Sequence, residues 1–199
     1  MPKQIILVRH GETDYNKIRR MQGWLDIPLN PTGISQAIAT SSKFKDINVD
    51  AIYSSDLIRA LETAGHISKV VRKSIVSTLA LRERDMGILS GWDWENEADP
   101  EKDKLWKRFV RARDGEDLDW DEHGGESMRQ VKKRVSIFLD HLHTHHHDQV
   151  ITVVTHGGTI NSILEHFQLK SPTDGFKEIK NASLLVLRKS LDTYTLEEL

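Results

Sequence analysis

Three short aliphatic runs, Ile5-Ile6-Leu7-Val8, Ala51-Ile52-Tyr53 and Val150-Ile151-Thr152-Val153-Val154, each end in a polar cluster. Runs this short, apolar at successive positions, suit strands buried on both faces, the condition of a parallel sheet covered by helices. Helical patterns separate them. Asn30-Pro31-Thr32-Gly33 reads as an N-cap followed by proline at the first helical position, leading into Ile34, Ala37 and Ile38. From Ser127 onward, Met128, Val131, Val135, Phe138, Leu139 and Leu142 recur at spacings of three and four. Arg129, Lys132, Lys133 and Asp140 take the opposite face, as in an amphipathic helix packed on a sheet. Ser183 to Leu187 is a fourth candidate strand, with Tyr194 to Leu196 as its partner. The alternation predicts an α/β fold, a three-layer α/β/α sandwich around a mainly parallel sheet.

Between Ile88 and Glu126 the periodicity breaks down, and Trp92, Trp94, Trp106 and Trp120 stand among many charges and two glycine-containing turns. No low-complexity linker separates this stretch, so it reads as a partly helical excursion over one edge of a single domain covering residues 1–199. Its rings serve equally well as core or as a cover that shapes substrate choice.

Composition narrows the function. Lys+Arg 28 against Asp+Glu 30 leaves a net charge of -2, without the basic field that nucleic acid or anionic lipid requires, so neither is an expected partner and any anion site is local. The absence of cysteine excludes disulfides, thiolate metal sites and a cysteine nucleophile, and fits the cytoplasm. The run Ile5 to Val8 is far too short to span a membrane.

The chemistry gathers at strand ends. The first run leads into Arg9-His10-Gly11-Glu12-Thr13 and the third into Thr155-His156-Gly157-Gly158, so two histidines reach the carboxyl edge where open α/β sheets bind ligands. The glycines, Gly157 among them, allow a ligand close to the backbone, and the N–H groups freed at a helix start suit an anion. The second run continues as Ser54-Ser55-Asp56-Leu57-Ile58-Arg59, where Asp56 can cap a helix whose first turn carries Arg59 back toward the rim. Arg9, Arg59 and two imidazoles together make a phosphate pocket, because guanidinium groups pair with phosphate oxygens in bidentate fashion.

These motifs resemble the histidine phosphatase superfamily, also called the phosphoglycerate-mutase-like family. The resemblance rests on Leu7-Val8-Arg9-His10-Gly11-Glu12-Thr13, Asn16, Gln22-Gly23, Ser54 to Ala60, Glu62-Thr63-Ala64, Leu81-Arg82-Glu83, Gly125-Glu126-Ser127 and Val154 to Gly158, in that order. It implies that His10 attacks phosphorus to give a phosphohistidine and that Arg9, Arg59 and His156 clamp the phosphoryl group. Asn16 and the Gln22-Gly23 backbone would add hydrogen bonds, and Glu83 would serve as general acid and then base. Asp85 is the alternative acid within the same charge run, while Glu12 and Glu62 are expected to hold the loop and pair with cations. No metal and no other cofactor is called for, and the partner is a small phosphorylated metabolite. Family members are often dimers, which leaves a homodimer open.

The compact chain resembles the phosphatase branch, so phosphomonoester hydrolysis is the leading expectation. Leu81 to Gly87 resembles the mutase version of that stretch, which keeps phosphoglycerate mutase as the rival, with a non-catalytic phospholigand scaffold as a third reading. The tract His141, His143, His145, His146, His147 and Asp148 invites a zinc reading. Its place at a helix end, where cationic side chains favour the dipole and adjacent residues cannot easily share one tetrahedral centre, favours a structural role.

Overall fold

Alternation of side chains across strands decides the layers of this molecule, seen here in a computed structural model that describes residues 1–93, 96, 98–170 and 176–198. In β1 (Gln4–Arg9), Ile5 and Leu7 face one side of the sheet and Ile6 and Val8 the other, and all four are fully buried. The first side is covered by α5 (Met128–His145) and α6 (Gly157–His166), through Val131, Val135, Phe138, Ile160 and Ile163. The second is covered from α3 (Ile58–Val71) by Ala60, Ala64 and Ile67, together with Phe44 and Val49. The expected three-layer α/β/α sandwich is therefore present.

The sheet also contains β2 (Ala51–Ser55), β3 (Ile75–Thr78), β4 (Val150–Thr155), β5 (Leu184–Ser190) and β6 (Thr193–Glu198), in the order β3-β2-β4-β1-β5-β6. Strands β1 to β4 run parallel, and β5 and β6 add an antiparallel hairpin beside β1. Strand β3 escapes the sequence reading because it is a short edge strand with an exposed Val76 and no long apolar run.

The short α1 (Asp14–Lys17) is closed by a capping box between Thr13 and Asn16. In α2 (Pro31–Ser42), Asn30 accepts from Gly33 N at 2.8 Å with proline at the start, as the sequence predicts. The buried face differs from the expected one. Gly33, Ala37, Thr40 and Ser41 are buried, while Ile34 and Ile38 are exposed, because only small residues fit where this helix lies close on its neighbours.

The excursion contains α4 (Pro100–Arg113), N-capped by Asp99, and builds a separate cluster from Met21, Leu89, Trp92, Phe109, Ala112 and Trp120. Trp94 lies outside the described residues. Gly87 joins the excursion to the core: its φ is 50°, a Cβ there would collide with the His123 carbonyl, and Ile88 N donates to that oxygen at 2.9 Å. Among the described residues, no helix is long and apolar enough to cross a membrane.

At the start of α5, Ser127 Oγ accepts from Gln130 N and Gln130 Oε1 accepts from Ser127 N, a complete capping box. Ser127→Ala should lower stability by about 1 kcal/mol in urea unfolding, and an unchanged midpoint would contradict the cap's assigned contribution.

Candidate active site

Strand register brings the two histidines together. Arg9 pairs with Thr155 at the ends of β1 and β4, so His10 and His156 leave the sheet side by side, their ring centroids 5.0 Å apart at 58°. Both are buried, and burial combined with the charges of Arg59 and Arg9 holds both pKa values well below the usual imidazole value. Each ring is therefore neutral at neutral pH.

Hydrogen bonding orients the rings. Nδ1 of His10 lies 2.7 Å from the Gly11 carbonyl, which can only accept, so the ring hydrogen is on Nδ1 and Nε2 keeps a lone pair. The His10 loop is fixed by Gly11 N donating to Thr63 Oγ1 and by Asn181 Nδ2 donating to the His10 carbonyl. Nε2 of His156 lies 2.8 Å from Ser55 Oγ, and its buried Nδ1 has no protein partner. A hydroxyl proton given to Nε2 would leave the hydrogen of neutral His156 on Nδ1.

The two guanidinium groups are held by carbonyls rather than carboxylates. Arg9 donates to Ile179 O, and Arg59 donates to Leu25 O at 2.7 Å and Gly23 O at 2.8 Å. Neither is ion-paired among the described residues, and Nε of each is buried without a partner. Burial lowers the Arg59 pKa to about 10, against the favourable influence of Glu83 and Asp26. Carbonyls orient these cations without neutralising them, which leaves their charge for an anion.

Glu83 reaches the same rim. Its Oε2 accepts from Gly158 N at 3.0 Å, at the first turn of α6, and its Oε1 accepts from Arg84 N at 2.9 Å. A Cβ at Gly158 would occupy the Glu83 carboxylate position, so a larger residue there would displace that side chain from the rim. Asp85 is turned away, accepting from Gly87 N at 3.0 Å, and does not compete for the acid position.

The remaining expected residues are closer to scaffold than to open donors. Asn16 Oδ1 accepts from Thr13 and Asn181, Gln22 Oε1 accepts from Thr13 Oγ1, and the Gly23 carbonyl positions Arg59. Gly157 opens α6 beside Arg9. Asp56 is not the cap of α3: Leu57 occupies that position without a side-chain bond, Asp26 Oδ1 accepts from Ile58 N at 2.6 Å, and Asp56 takes Arg82 at 2.6 and 2.8 Å. A cap supplied from a distant loop cannot be read from local pattern. Glu62 and Glu12 do hold the loop, but through Leu29 N and Asn30 Nδ2 rather than through cations.

Sequence reasoning missed Ser55, Asn181 and Arg134. Arg134 donates to the carbonyls of Ala80, Arg82 and Glu83 and takes Glu126 through two nitrogens, fixing the segment that carries Glu83. Its signal was an arginine three residues after Val131, on the apolar face of α5. In the histidine tract, His141 stacks on His145 at 4.3 Å, and His146 bonds Tyr53 and Gln149. No group of three or more His, Asp or Glu among the described residues is arranged to hold a metal ion.

Residues 5–199 match the histidine phosphatase superfamily (branch 1). Phosphoglycerate mutase-like protein 4 of Arabidopsis thaliana is 35% identical over 187 residues, covering 93% of this chain and 79% of that protein. A metal-independent phosphoserine phosphatase of the same plant is 36% identical over 162 residues, 80% of this chain and 66% of its own length. A mycobacterial glucosyl-3-phosphoglycerate phosphatase in complex with VO3 superposes with a TM-score of 0.85 at 28% identity, covering 98% of both chains. The chain belongs to branch 1 of the histidine phosphatase superfamily.

Proposed function

We propose that this protein hydrolyses a phosphomonoester of a small cytoplasmic metabolite through a phosphohistidine on His10. The observation that carries this reading is a buried imidazole whose Nδ1 meets the Gly11 carbonyl at 2.7 Å, beside arginines that have no carboxylate partner among the described residues. Nε2 of His10 attacks phosphorus, an N–P bond forms and the P–O bond to the alcohol breaks. Glu83 takes up the proton that arrives on the substrate as the phosphate monoanion and gives it to the departing oxygen. The Gly11 carbonyl accepts the Nδ1–H of the phosphoimidazolium, while Arg9, Arg59 and Nδ1–H of His156 hold the phosphoryl oxygens. Glu83 then takes a proton from water, whose oxygen attacks phosphorus, and the N–P electrons return to Nε2 as phosphate leaves.

Release of inorganic phosphate from p-nitrophenyl phosphate in excess EDTA tests the reaction class. Activity should persist in the intact protein and fall at least about a thousandfold in His10→Ala. Equal rates in both proteins, or loss with EDTA, would remove this mechanism. Quantitative conversion of 3-phosphoglycerate to its isomer without phosphate release would establish the mutase instead.

Glu83→Gln gives a second test. Its loss should be about 10²- to 10⁴-fold for an alkyl phosphate, whose alkoxide needs a proton, and much smaller for the formation of the phosphoenzyme from p-nitrophenyl phosphate. Equal losses for both would argue against proton donation by Glu83.

The buried imidazoles also set a pH dependence of stability. Since both folded pKa values are depressed, the unfolded chain binds more protons below its ordinary imidazole pKa of about 6.5. Their contribution is full above that pH and is lost as pH falls toward the folded values. In anion-free buffer, urea unfolding should show stability decreasing from about pH 7.5 to about pH 5.5, with a shallower decrease in the double variant His10→Gln, His156→Gln. An unchanged slope in the variant would contradict the assignment.

A further inference from the structure

Beyond the phosphate rim lies a cleft of about 160 Å³ whose wall includes Glu83 and Gly158, so it opens at the group assigned to meet the departing oxygen. Its surface is mainly apolar: Met21, Met86, Trp106, Phe109, Met128 and Phe176 line it. Trp106 and Phe109 are stacked at 5.3 Å and 12°, forming a flat ring wall from α4.

The polar residues in the cleft are largely committed to the protein. Asn161 donates to Gly157 O and Lys177 O and accepts from Lys177 N. Ser162 Oγ donates within its helix to Gly158 O, and Glu165 is paired with Lys132 and Lys170 at 2.9 and 3.0 Å. Arg113 pairs with Asp114 and lies over Phe176 at 4.9 Å. Arg84 lies over Phe109 at 4.4 Å and donates to the carbonyls of Glu126 and Trp120. A polyhydroxylated leaving group would lose water here and find few partners, whereas a ring would replace water on apolar surface.

We propose that this cleft is a leaving-group subsite for bulky, ring-bearing apolar alcohols, so that the substrates of the phosphatase are their phosphate monoesters. This rests on the hydrolase reading and adds the side of the substrate that the phosphate clamp does not read. The excursion carrying α4 thus becomes the main specificity element, with Trp106 from α4 and Phe176 from the segment after α6 as the accessible determinants.

The test compares primary alkyl esters of matched leaving-group chemistry: 2-(2-naphthyl)ethyl phosphate, glycerol 3-phosphate and 3-phosphoglycerate. Burial of the rings predicts a kcat/KM about tenfold to a hundredfold higher for the naphthyl ester. Phe176→Ala, at a side chain already 37% exposed, should reduce that advantage several-fold, read as the ratio of kcat/KM for the naphthyl ester to that for glycerol 3-phosphate within the same variant. Trp106→Ala should do the same more strongly in a variant whose folding is verified by its thermal transition. Equal kcat/KM for the three esters would overturn the subsite while leaving the hydrolase reading intact. A preference for 3-phosphoglycerate, with Arg84 drawing its carboxylate, would overturn it too. Calorimetric binding of the same esters to His10→Ala supplies a readout free of turnover. Tighter naphthyl binding there, with no hydrolysis by the intact protein, would uphold the subsite and reject the hydrolase reading. Equal binding of all three esters would reject the subsite.

Discussion

Four basic side chains share one nearly dry rim, and among the described residues none of them has a carboxylate in direct contact. Placing Arg59, Arg9, His10 and His156 together out of water is unfavourable for every charge they carry, and the site answers in two ways. The imidazoles give up their protons, and the guanidinium groups stay charged and lean on carbonyls from Ile179, Leu25 and Gly23. A pairing carboxylate would have made the rim cheaper to fold and useless for anions. The unneutralised charge is therefore the property around which the loops are arranged, and it defines a compartment that a phosphoryl dianion completes.

The same logic explains the position of Glu83. Its carboxylate supplies the acceptor for Gly158 N that the first turn of α6 lacks from its own backbone. It is also the nearest negative influence on Arg9 and Arg59. In the proposed reaction, a phosphoryl group on the rim competes for those donors and the carboxylate meets the departing oxygen. Arg134 and Glu126 keep the backbone of this segment fixed while its side chain works, and the close approach at Gly87 ties the same segment to the excursion. Glu83 and the α4 rings of the cleft wall are thus carried on one connected piece of chain.

Much of this was legible in the residues. Strands β1, β2 and β4 could be read because strands buried on both faces must be apolar throughout, and the histidines followed because each stands one step beyond such a strand. The register that sets them 5.0 Å apart is a property of the sheet and no local pattern encodes it. Strand β3 was hidden because an edge strand needs little apolar surface. The mistaken cap at Asp56 and the unseen Arg134 share one cause: their partners, Arg82 for the first and the carbonyls of residues 80, 82 and 83 for the second, are remote in sequence. Sequence pattern reports local periodicity well and long-range hydrogen bonding poorly.

The central claim is that the neutral His10, in its uncompensated cationic setting, accepts the phosphoryl group. The most direct measurement is rapid quenching of the turning-over protein into alkali, followed by peptide mapping by mass spectrometry. The account predicts an alkali-stable, acid-labile phosphate on the peptide containing His10, formed before the second half of the reaction. Phosphate on another residue, or steady hydrolysis with His10 never modified at any quench time, would contradict it.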